Sequence, residues 1–271
     1  MLRVALSTAA VGALAPGCAQ GRTDTAGAPA SGTPHPGGAG GGGPGSAHPA
    51  SPGAAPPGAA PLRARPPTRV PGLPVEIGHG SRTGRQVALT FHGQGDPALA
   101  TALLTRAEEA GAKVTVLAVG TWLEEQPAIA RRILDGGHEL GNHTMRHLDI
   151  GALPAREAYA EISRCADRLR ALTGSIGSWF RPSRTQHATG LVTRLAREAG
   201  YPHVLSYDVD SLDAEDPGPA AVRRTVLDRI RPGSVVSLHF GHAGTLAALP
   251  PILDGLHRRG LRAVTTTELV T

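Results

Sequence analysis

Residues 137–147 read GHELGNHTMRH and place two imidazoles, those of His143 and His147, four residues apart. On a helical turn, residues i and i+4 share one face, with Cβ atoms about 5–6 Å apart. Neutral imidazole is a common ligand of zinc and related metals. The spacing alone fits two solvent-exposed histidines on a turn equally well. The surrounding sequence therefore has to decide between a metal site and a surface pair.

The amino-terminal part of the chain differs in composition from the remainder. The chain has 271 residues, and all of its Phe, Trp and Tyr residues lie at or after Phe91. Residues 25–62 contain no Asp, Glu, Lys or Arg and consist mainly of Gly, Ala, Pro and Ser. Such a segment buries too little apolar area to offset its conformational entropy. We therefore predict a disordered linker over residues 19–70 and a folded domain over residues 71–271.

The first residues have the pattern of an export signal. Arg3 precedes an apolar run over residues 4–14, which is too short to span a membrane as a helix. Cys18 follows small residues, as in a bacterial lipobox, although Leu14 lies one position further from it than is usual. Residues 1–18 are therefore predicted to be a signal peptide. Export can end either in lipidation of Cys18 at the extracellular face of the cell membrane or in plain secretion.

The charge of the chain narrows its range of partners. A formal net charge of +5 and an isoelectric point near 10.0 suit an anionic cell-wall or membrane surface. The Arg residues are scattered rather than clustered, and no nucleic-acid-binding motif is present. We therefore expect no nucleic acid partner, and contact with a membrane only through a lipid on Cys18.

From about residue 71, short apolar runs alternate with amphipathic segments. Strands are predicted over residues 87–91, 113–119, 138–142, 178–181, 203–208, 234–239 and 261–265, and helices over residues 97–110, 122–135, 154–172, 187–199, 219–230 and 246–259. Regular alternation favours a parallel sheet with helical crossovers, either an open doubly wound sheet or a closed barrel. No GxGxxG sequence follows the first strand and no Walker A motif is present, which argues against a nucleotide-binding fold.

Polar side chains recur at the carboxyl ends of the predicted strands. In both architectures the functional site is built at that end of the sheet. The residues found there are His92, His143, His147, Arg181, Asp208, Asp210, Asp213 and His239. Because groups able to bind a metal or transfer a proton recur at equivalent places, we interpret them as one site rather than as a solvated surface.

The sequence of residues 86–270 resembles the polysaccharide deacetylase family, the NodB homology domain of carbohydrate esterase family four. Residues 137–147 match the second motif of that family, G-H-E-[IL]-G-N-H-[ST]-x-x-H, throughout. Phe180-Arg181-Pro182 resembles the third motif, residues 207–213 the fourth, and Ser237-Leu238-His239 the fifth. The resemblance implies an α/β fold, a distorted (β/α)7-type barrel, which agrees with the seven predicted strands.

The resemblance also implies an activity and roles for individual residues. The activity is the metal-dependent hydrolysis of acetyl groups on a carbohydrate, with acetylated polysaccharide or peptidoglycan as the partner. His143 and His147 would be ligands of a divalent metal, with zinc expected because it polarises a carbonyl and lowers the pKa of water to about 7. His239, oriented by Asp210, would protonate the leaving amine. The main-chain N–H of Arg184 would share the developing oxyanion.

The first motif departs from the family pattern. Where the family has T-F-D-D-G-P, with a general base followed by a third metal ligand, this chain has TFHGQGDP at residues 90–97. His92 stands at the position of the base, and Gly93 stands at that of the ligand. Three interpretations remain open: His92 completes a three-histidine site, Asp96 moves in as ligand or base, or the site is degenerate. Asp96 has a sufficient structural role as N-cap of the helix predicted over residues 97–110.

Two further departures concern the surroundings of the site. The third motif continues Ser183-Arg184-Thr185 instead of P-Y-G, and Ala214 replaces the Trp that closes the fourth motif. Arg181 would normally steady the catalytic Asp. Beside His92 it would instead disfavour imidazolium, which would keep His92 neutral and able to act as a ligand or a base. His138 is interpreted as a structural histidine.

Two functions from different classes follow. One is an active carbohydrate deacetylase, supported by the intact second motif together with His239 and Asp210. The other is a degenerate domain that binds cell-wall glycan without turnover, supported by Gly93. Loss of two carboxylates raises the charge of the site by two, which weakens cation binding unless His92 completes the ligand set.

Overall fold

The computed structural model of the chain describes residues 63–271. The predicted signal peptide, the lipidation site Cys18 and the predicted linker up to residue 62 lie outside the described residues. Residues 63–70, assigned to the linker from the sequence, contact the folded domain. Ala64 is 2% exposed, and the carbonyl of Arg65 accepts a hydrogen bond from Ser175 Oγ at 3.1 Å.

The domain contains eight short parallel strands. They are β1 (Glu76–Ile77), β2 (Gln86–Gly93), β3 (Thr115–Ala118), β4 (Glu139–Asn142), β5 (Val204–Leu205), β6 (Val209–Asp210), β7 (Val235–His239) and β8 (Arg262–Val264). Six strands form one sheet, in which β4, β3, β2, β7 and β6 are neighbours in that order and β8 pairs with the start of β2. The strands β1 and β5 form a second sheet of two strands. Phe180 bridges Asn142 on one side and Val204 on the other, which joins the two sheets.

These pairings describe a distorted barrel and confirm the predicted α/β class. Passing around the ring from β2, the positions are β3, β4, Phe180, the β5–β6 segment and β7, with β8 beside the start of β2. All seven predicted strands have a counterpart in this ring. The fourth is reduced to bridges at Phe180. The fifth is shortened to β5, and β6 begins one residue after its predicted end.

Eight helices accompany the strands of the described domain. They are α1 (Pro97–Glu109), α2 (Gly120–Glu125), α3 (Pro127–Asp135), α4 (Ala155–Thr173), α5 (Gly190–Glu198), α6 (Pro219–Arg229), α7 (Ala243–Arg258) and α8 (Thr266–Val270). Short 3-10 turns lie at Ile150–Ala152 and Asp213–Glu215. Within residues 63–271, none of the helices combines the length and apolar character that a membrane span requires.

One predicted helix, over residues 122–135, is divided in two. Helix α2 ends at Glu125, and Gln126 has φ −129° and ψ 61° before Pro127 opens α3. The residue before a proline is driven out of the α region by the proline ring. The prediction of one continuous helix was therefore wrong, although Pro127 in the sequence indicates a break at Gln126.

The barrel interior changes from apolar to polar along its axis. In the pairing of β2 with β7, Ala88 faces Val235, Thr90 faces Ser237, and His92 faces His239. Paired residues share a face of the sheet, and residues two apart along a strand share that face as well. Ala88, Leu117, Leu205 and Val235 belong to one buried apolar cluster. The polar layer at the carboxyl ends is therefore built on a packed hydrophobic floor.

Candidate metal centre and catalytic cleft

The segment from His143 to His147 is a loop that follows β4, so its two imidazoles do not meet through the i, i+4 geometry of a helical turn. Thr144 and His147 have φ of 68° and 57°, in the left-handed region. This conformation is rare for a β-branched residue, and such strain is concentrated at functional sites. It is held by bonds from Thr144 N–H to Asn142 Oδ1 (2.8 Å) and from His147 N–H to Thr144 Oγ1 (3.2 Å).

The imidazoles of His92, His143 and His147 converge at the carboxyl end of the barrel. One ring nitrogen of each lies within 4.8 Å of the other two. The ring centroid of His143 is 4.3 Å from that of His92 and 4.9 Å from that of His147. Three nitrogens bound to one zinc ion at about 2.0–2.1 Å would be about 3–4 Å apart. Small side-chain rotations would therefore bring this set to ligand geometry.

His143 has the hydrogen-bonding pattern of a metal ligand. Its Nδ1 lies 3.0 Å from the carbonyl oxygen of Arg181, which can only accept, so Nδ1 carries the proton. Its Nε2 is buried and has no hydrogen-bond partner in the described domain. A buried polar atom without a partner is costly. A metal ion would satisfy this lone pair, and the bond from Nδ1 to a carbonyl is the usual support of a ligating histidine.

Burial keeps all three imidazoles neutral. The pKa values of His92 and His143 lie well below the ordinary 6.5, mainly because both rings are buried. The charge of Arg181 lowers both values further. The pKa of His147 is lowered by burial and then by the charge of Arg184. Because metal binding requires neutral imidazole, the set is in the ligand form at neutral pH.

Gly93 leaves no room for the carboxylate that the family pattern expects. A Cβ at this position would lie 2.9 Å from Val116 Cγ1, and 3.1 Å from both Ala118 Cα and Trp122 Cζ3. Two of these atoms belong to β3, so an aspartate would require movement of backbone or of a large ring. The carboxylate ligand has thus been replaced by packing.

Asp96 is the N-cap of α1, as the sequence predicts, and not part of the cluster. Its Oδ1 accepts a hydrogen bond from Ala98 N–H at 2.8 Å. Of the three interpretations of the first motif, the geometry supports His92 as the third member of the histidine set. Ser237 Oγ lies 3.2 Å from His92 Nε2 and holds the orientation of that ring.

Arg181 is fully buried beside this set. Its Nε donates to the carbonyl of Leu205 at 3.2 Å and its Nη2 to that of Ser206 at 3.1 Å, whereas its buried Nη1 has no partner in the described domain. Burial lowers the pKa of this guanidinium to about 9, although the charges of Tyr207 and Asp210 oppose the change. The catalytic carboxylate that such an arginine would steady is absent from β2.

His239 is oriented by Asp213, and the prediction that Asp210 orients it was wrong. His239 Nδ1 lies 2.7 Å from Asp213 Oδ1, and Asp213 Oδ2 accepts from His239 N–H at 2.8 Å and from Thr245 Oγ1 at 2.7 Å. Burial alone would raise the pKa of Asp213, but its bonds to His239 and Thr245 outweigh this effect and lower it. The chain turns at Leu212, with φ 59°, and thereby carries Asp213 to His239.

The described residues form a cleft of about 230 Å³ at this end of the barrel. Its walls consist of His92, His147, Arg184, Thr185, Gln186, Tyr207, Asp210, Ser237 and His239. Arg184, the position of the predicted oxyanion donor, has φ 57°, and its Nε donates to the carbonyl of His147 at 3.1 Å. A cavity of about 730 Å³ near Gln86 and Arg262 lies at the opposite ends of the strands, away from these groups.

Other candidates from the sequence have structural partners. His138 Nδ1 accepts from Val114 N–H at 3.2 Å and its Nε2 lies 3.1 Å from Glu108 Oε1, in agreement with its predicted structural role. Asp208 Oδ2 lies 2.7 Å from Arg82 Nη2. Ser237 was quoted as part of the fifth motif but was not predicted to be a site residue, although it stands two positions before His239 in a strand and therefore shares its face.

Comparison with known proteins gives one consistent family. A polysaccharide deacetylase family model matches residues 79–204. The peptidoglycan-N-acetylglucosamine deacetylase of Bacillus cereus is 31% identical over 196 residues, which are 68% of this chain and 87% of that protein. The chitooligosaccharide deacetylase of Bradyrhizobium sp. is 29% identical over 215 residues, which cover 70% of this chain and 94% of that protein.

Solved structures share the fold. BA3943 of Bacillus anthracis, a CE4 family pseudoenzyme, has a TM-score of 0.69 at 24% identity, over 73% of this chain and 70% of its own. A BA3943 mutant with restored enzymatic activity has the same TM-score at 25% identity, over 73% of this chain and 72% of its own. The barrel fold of this chain is thus shared with both structures.

Proposed function

Because this chain belongs to the polysaccharide deacetylase family, we propose that it is a metal-dependent hydrolase that removes acetyl groups from an N-acetylated glycan of the cell-wall or chitin type. The relatives named for peptidoglycan N-acetylglucosamine and chitooligosaccharide support this substrate class. The observation that carries the proposal is the Nε2 of His143, which is buried and has no hydrogen-bond partner within residues 63–271, beside the nitrogens of His92 and His147.

His92, His143 and His147 hold a divalent metal, with zinc the best fit to three neutral imidazoles. Bound there, the metal supplies Lewis-acid chemistry, since it polarises the acetyl carbonyl and makes water more acidic. Arg181 acts through His143: its carbonyl fixes the protonated Nδ1, and with it the ring orientation. Arg184 stands at the rim of the cleft, where its main-chain N–H can stabilise the oxyanion.

His239 is the proton donor to the leaving nitrogen. Its side chain is 19% exposed and faces the cleft, and the hydrogen bond to Asp213 fixes the proton on Nδ1. When the imidazolium is formed, Nε2 carries the transferable proton, and the carboxylate of Asp213 stabilises the charge. Asp213 is therefore the positioning residue of the acid.

The proposed location is outside the cell, in agreement with the predicted signal over residues 1–18 and with a wall substrate. Lipidation of Cys18 would place the domain at the membrane on a long linker. Growth with a labelled fatty acid tests this: label on the wild type and none on Cys18→Ser supports the anchor, whereas an unlabelled wild type found in the medium supports plain secretion.

A non-catalytic glycan-binding domain is the second candidate. It is favoured by Gly93, whose Cβ space is filled by Val116 and Trp122, and by the likeness to a CE4 family pseudoenzyme. In that function the cleft would bind acetylated glycan, and His143 would have no role in turnover.

One experiment separates the two functions. The wild type, His143→Ala and the matched control His257→Ala are purified without chelator and assayed for bound metal and for acetate released from acetylated chitooligosaccharide and peptidoglycan. The deacetylase predicts about one equivalent of metal and acetate release for the wild type and the control, and loss of both in His143→Ala. Less than about 0.1 equivalent of metal, with no acetate released after zinc or cobalt is added, would sink the enzyme proposal.

A further inference from the structure

The proposed metal set uses the residue that stands at the position of the family's general base. If His92 binds the metal, its lone pair is no longer available to take a proton from the attacking water. Gly93, the next residue, has no side chain. The strand end that carries the base in the family pattern therefore has no proton acceptor, and the inference below rests on the proposed function.

The cleft walls leave one acceptor for the base role among the described residues. His92 and His147 belong to the metal set, and His239, held by Asp213 through Nδ1, is the proposed acid, so its Nε2 carries a proton when water is attacked. Arg184 cannot accept a proton, and Thr185, Gln186, Tyr207 and Ser237 are poor bases at neutral pH. The remaining wall residue is Asp210, whose carboxylate is the only one that lines this cleft within the described domain.

The register of the sheet places Asp210 on the catalytic face. Asp210 in β6 pairs with Ser237 in β7, and the Oγ of Ser237 lies 3.2 Å from His92 Nε2. Directly paired residues send their side chains to the same face of a sheet. Asp210 therefore lies on the side of the sheet that faces the cleft, with β7 between its strand and the strand that carries His92.

The hydrogen bonds of Asp210 leave one oxygen available. Its Oδ1 accepts from Leu212 N–H at 3.0 Å, which fixes the carboxylate. Its Oδ2 has only a long contact, 3.5 Å, from the Tyr207 hydroxyl. A carboxylate can accept about four hydrogen bonds. Oδ2 can thus accept a bond from water and then its proton.

Arg181 connects this carboxylate to the buried charge of the site. The Arg181 guanidinium lies over the ring of Tyr207, 5.3 Å from its centroid, and Tyr207 contacts Asp210. Burial lowers the pKa of the Arg181 guanidinium, and the charges of Tyr207 and Asp210 act against this change. In the family pattern Arg181 would steady a base on β2. In this chain it contacts Tyr207, which in turn contacts the Asp210 carboxylate on β6.

We propose that Asp210 is the general base of this protein, so that the base has moved from the end of β2 to the end of β6. Asp210 Oδ2 takes one proton from water as the water oxygen bonds to the acetyl carbon. His239 gives a proton to the amide nitrogen as the carbon–nitrogen bond breaks. The products are the free amine of the sugar and acetic acid, which ionises to acetate. The protons from Asp210 and from acetic acid pass to solvent, and His239 takes one proton back from solvent.

The three other carboxylates that the sequence offered as candidates are occupied by structural bonds. Asp213 accepts from His239 and Thr245, Asp208 is paired with Arg82, and Asp96 caps α1. None of them lines the cleft. The role of base therefore falls to Asp210 by geometry as well as by chemistry.

The test uses the full chain loaded with zinc, with Asp210→Asn, Asp210→Ala and the control Asp228→Asn. We expect kcat for acetate release to fall by about 10²–10⁴-fold in Asp210→Asn, with the bound metal and the control unchanged. Added formate should partly restore the rate of Asp210→Ala, because formate can enter the space left by the carboxylate. A purely structural role for Asp210 would not give this rescue.

Two results would overturn the assignment, and they can be told apart from failure of the proposed function. An active wild type whose Asp210→Asn variant keeps its rate within about threefold overturns the base alone. Loss of metal together with the rate in Asp210→Asn, with no formate rescue in Asp210→Ala, also overturns it. A wild type that holds metal but releases no acetate from either glycan overturns the proposed function and the base with it.

Discussion

Gly93 stands where the family has a metal-binding aspartate, and in this chain neighbouring side chains fill the space that an aspartate would need. The position lies at the end of β2, next to His92, and Val116, Ala118 and Trp122 occupy the volume of a Cβ. A substitution of Gly93 should therefore change the free energy of unfolding through packing, and not metal affinity.

We predict that Gly93→Ala lowers the free energy of unfolding by about 1–3 kcal/mol, because a stiff Val side chain and backbone must move. Gly93→Asp should cost at least as much and should not raise metal affinity. Gly190→Ala is the control: Gly190 opens α5 with no atom within 4 Å of its Cβ position, so a gain of up to about 1 kcal/mol is expected. Urea titration measures both, and a neutral Gly93→Ala contradicts the packing argument.

Single residues also mark the limit of sequence interpretation. The matched second motif identified His143 and His147 correctly as neighbours, but their convergence depends on left-handed backbone at Thr144 and His147, which no residue type announced. Asp210 and Asp213 stand three positions apart in one polar stretch. The left-handed turn at Leu212 determines that Asp213, and not Asp210, bonds to His239. The sequence does not show the direction of this turn.

At the scale of an element, the Asp96 carboxylate has a structural role, as the N-cap of α1, and no chemical role in the site. Asp96 is exposed and caps α1 through the bond from Ala98 N–H. The loop before it is held by Trp122, whose Nε1 donates to the carbonyl of Gly95 at 2.8 Å. The cap alone accounts for the side-chain position of Asp96.

Asp96→Ala should lower the free energy of unfolding by about 1 kcal/mol, and Asp96→Ser should restore most of it, because serine is also a good N-cap. Bound metal and acetate release should not change in either variant. Thermal unfolding and metal analysis on the same samples provide the measurement. Loss of metal in Asp96→Ser would contradict the cap and revive Asp96 as a ligand.

Elements with strong local signals were predictable. Helix α1 carries an N-cap and a proline at its first position, and α4 ends at Gly174 with φ 76°, so both were located to within about two residues. The fourth strand was not, because Phe180 pairs with both neighbours without forming a continuous ladder. Its sequence is apolar like that of a strand, and only the tertiary pairing limits its length.

At the scale of the whole molecule, the strand–helix alternation gave the count of seven but not the closure. An open sheet and a barrel use the same repeat, and the choice depends on pairs that are far apart in sequence, such as Ala88 with Val235. The same long-range pairs bring two buried histidines and one partly buried histidine to one end of the barrel. Their burial makes the stability of the molecule depend on pH.

Without metal, the free energy of unfolding should fall as the pH drops below about 6.5. The folded-state pKa values of His92, His138, His143 and His147 are lowered, so below 6.5 the unfolded chain binds protons that the folded chain does not. The stability is fully present above pH 6.5, and each group can contribute up to about 1.4 kcal/mol per pH unit to the loss.

Urea titrations in chelator at pH 7.5, 6.5 and 5.5 measure this loss, with His257→Ala as a control that should match the wild type. Added zinc should raise stability at pH 7.5 and much less at pH 5.5, since protons and metal compete for the same lone pairs. His143→Ala should abolish the zinc effect and reduce the slope with pH. An unfolding free energy that stays flat between pH 7.5 and 5.5 would contradict neutral, buried imidazoles and, with them, the form of the site that binds metal.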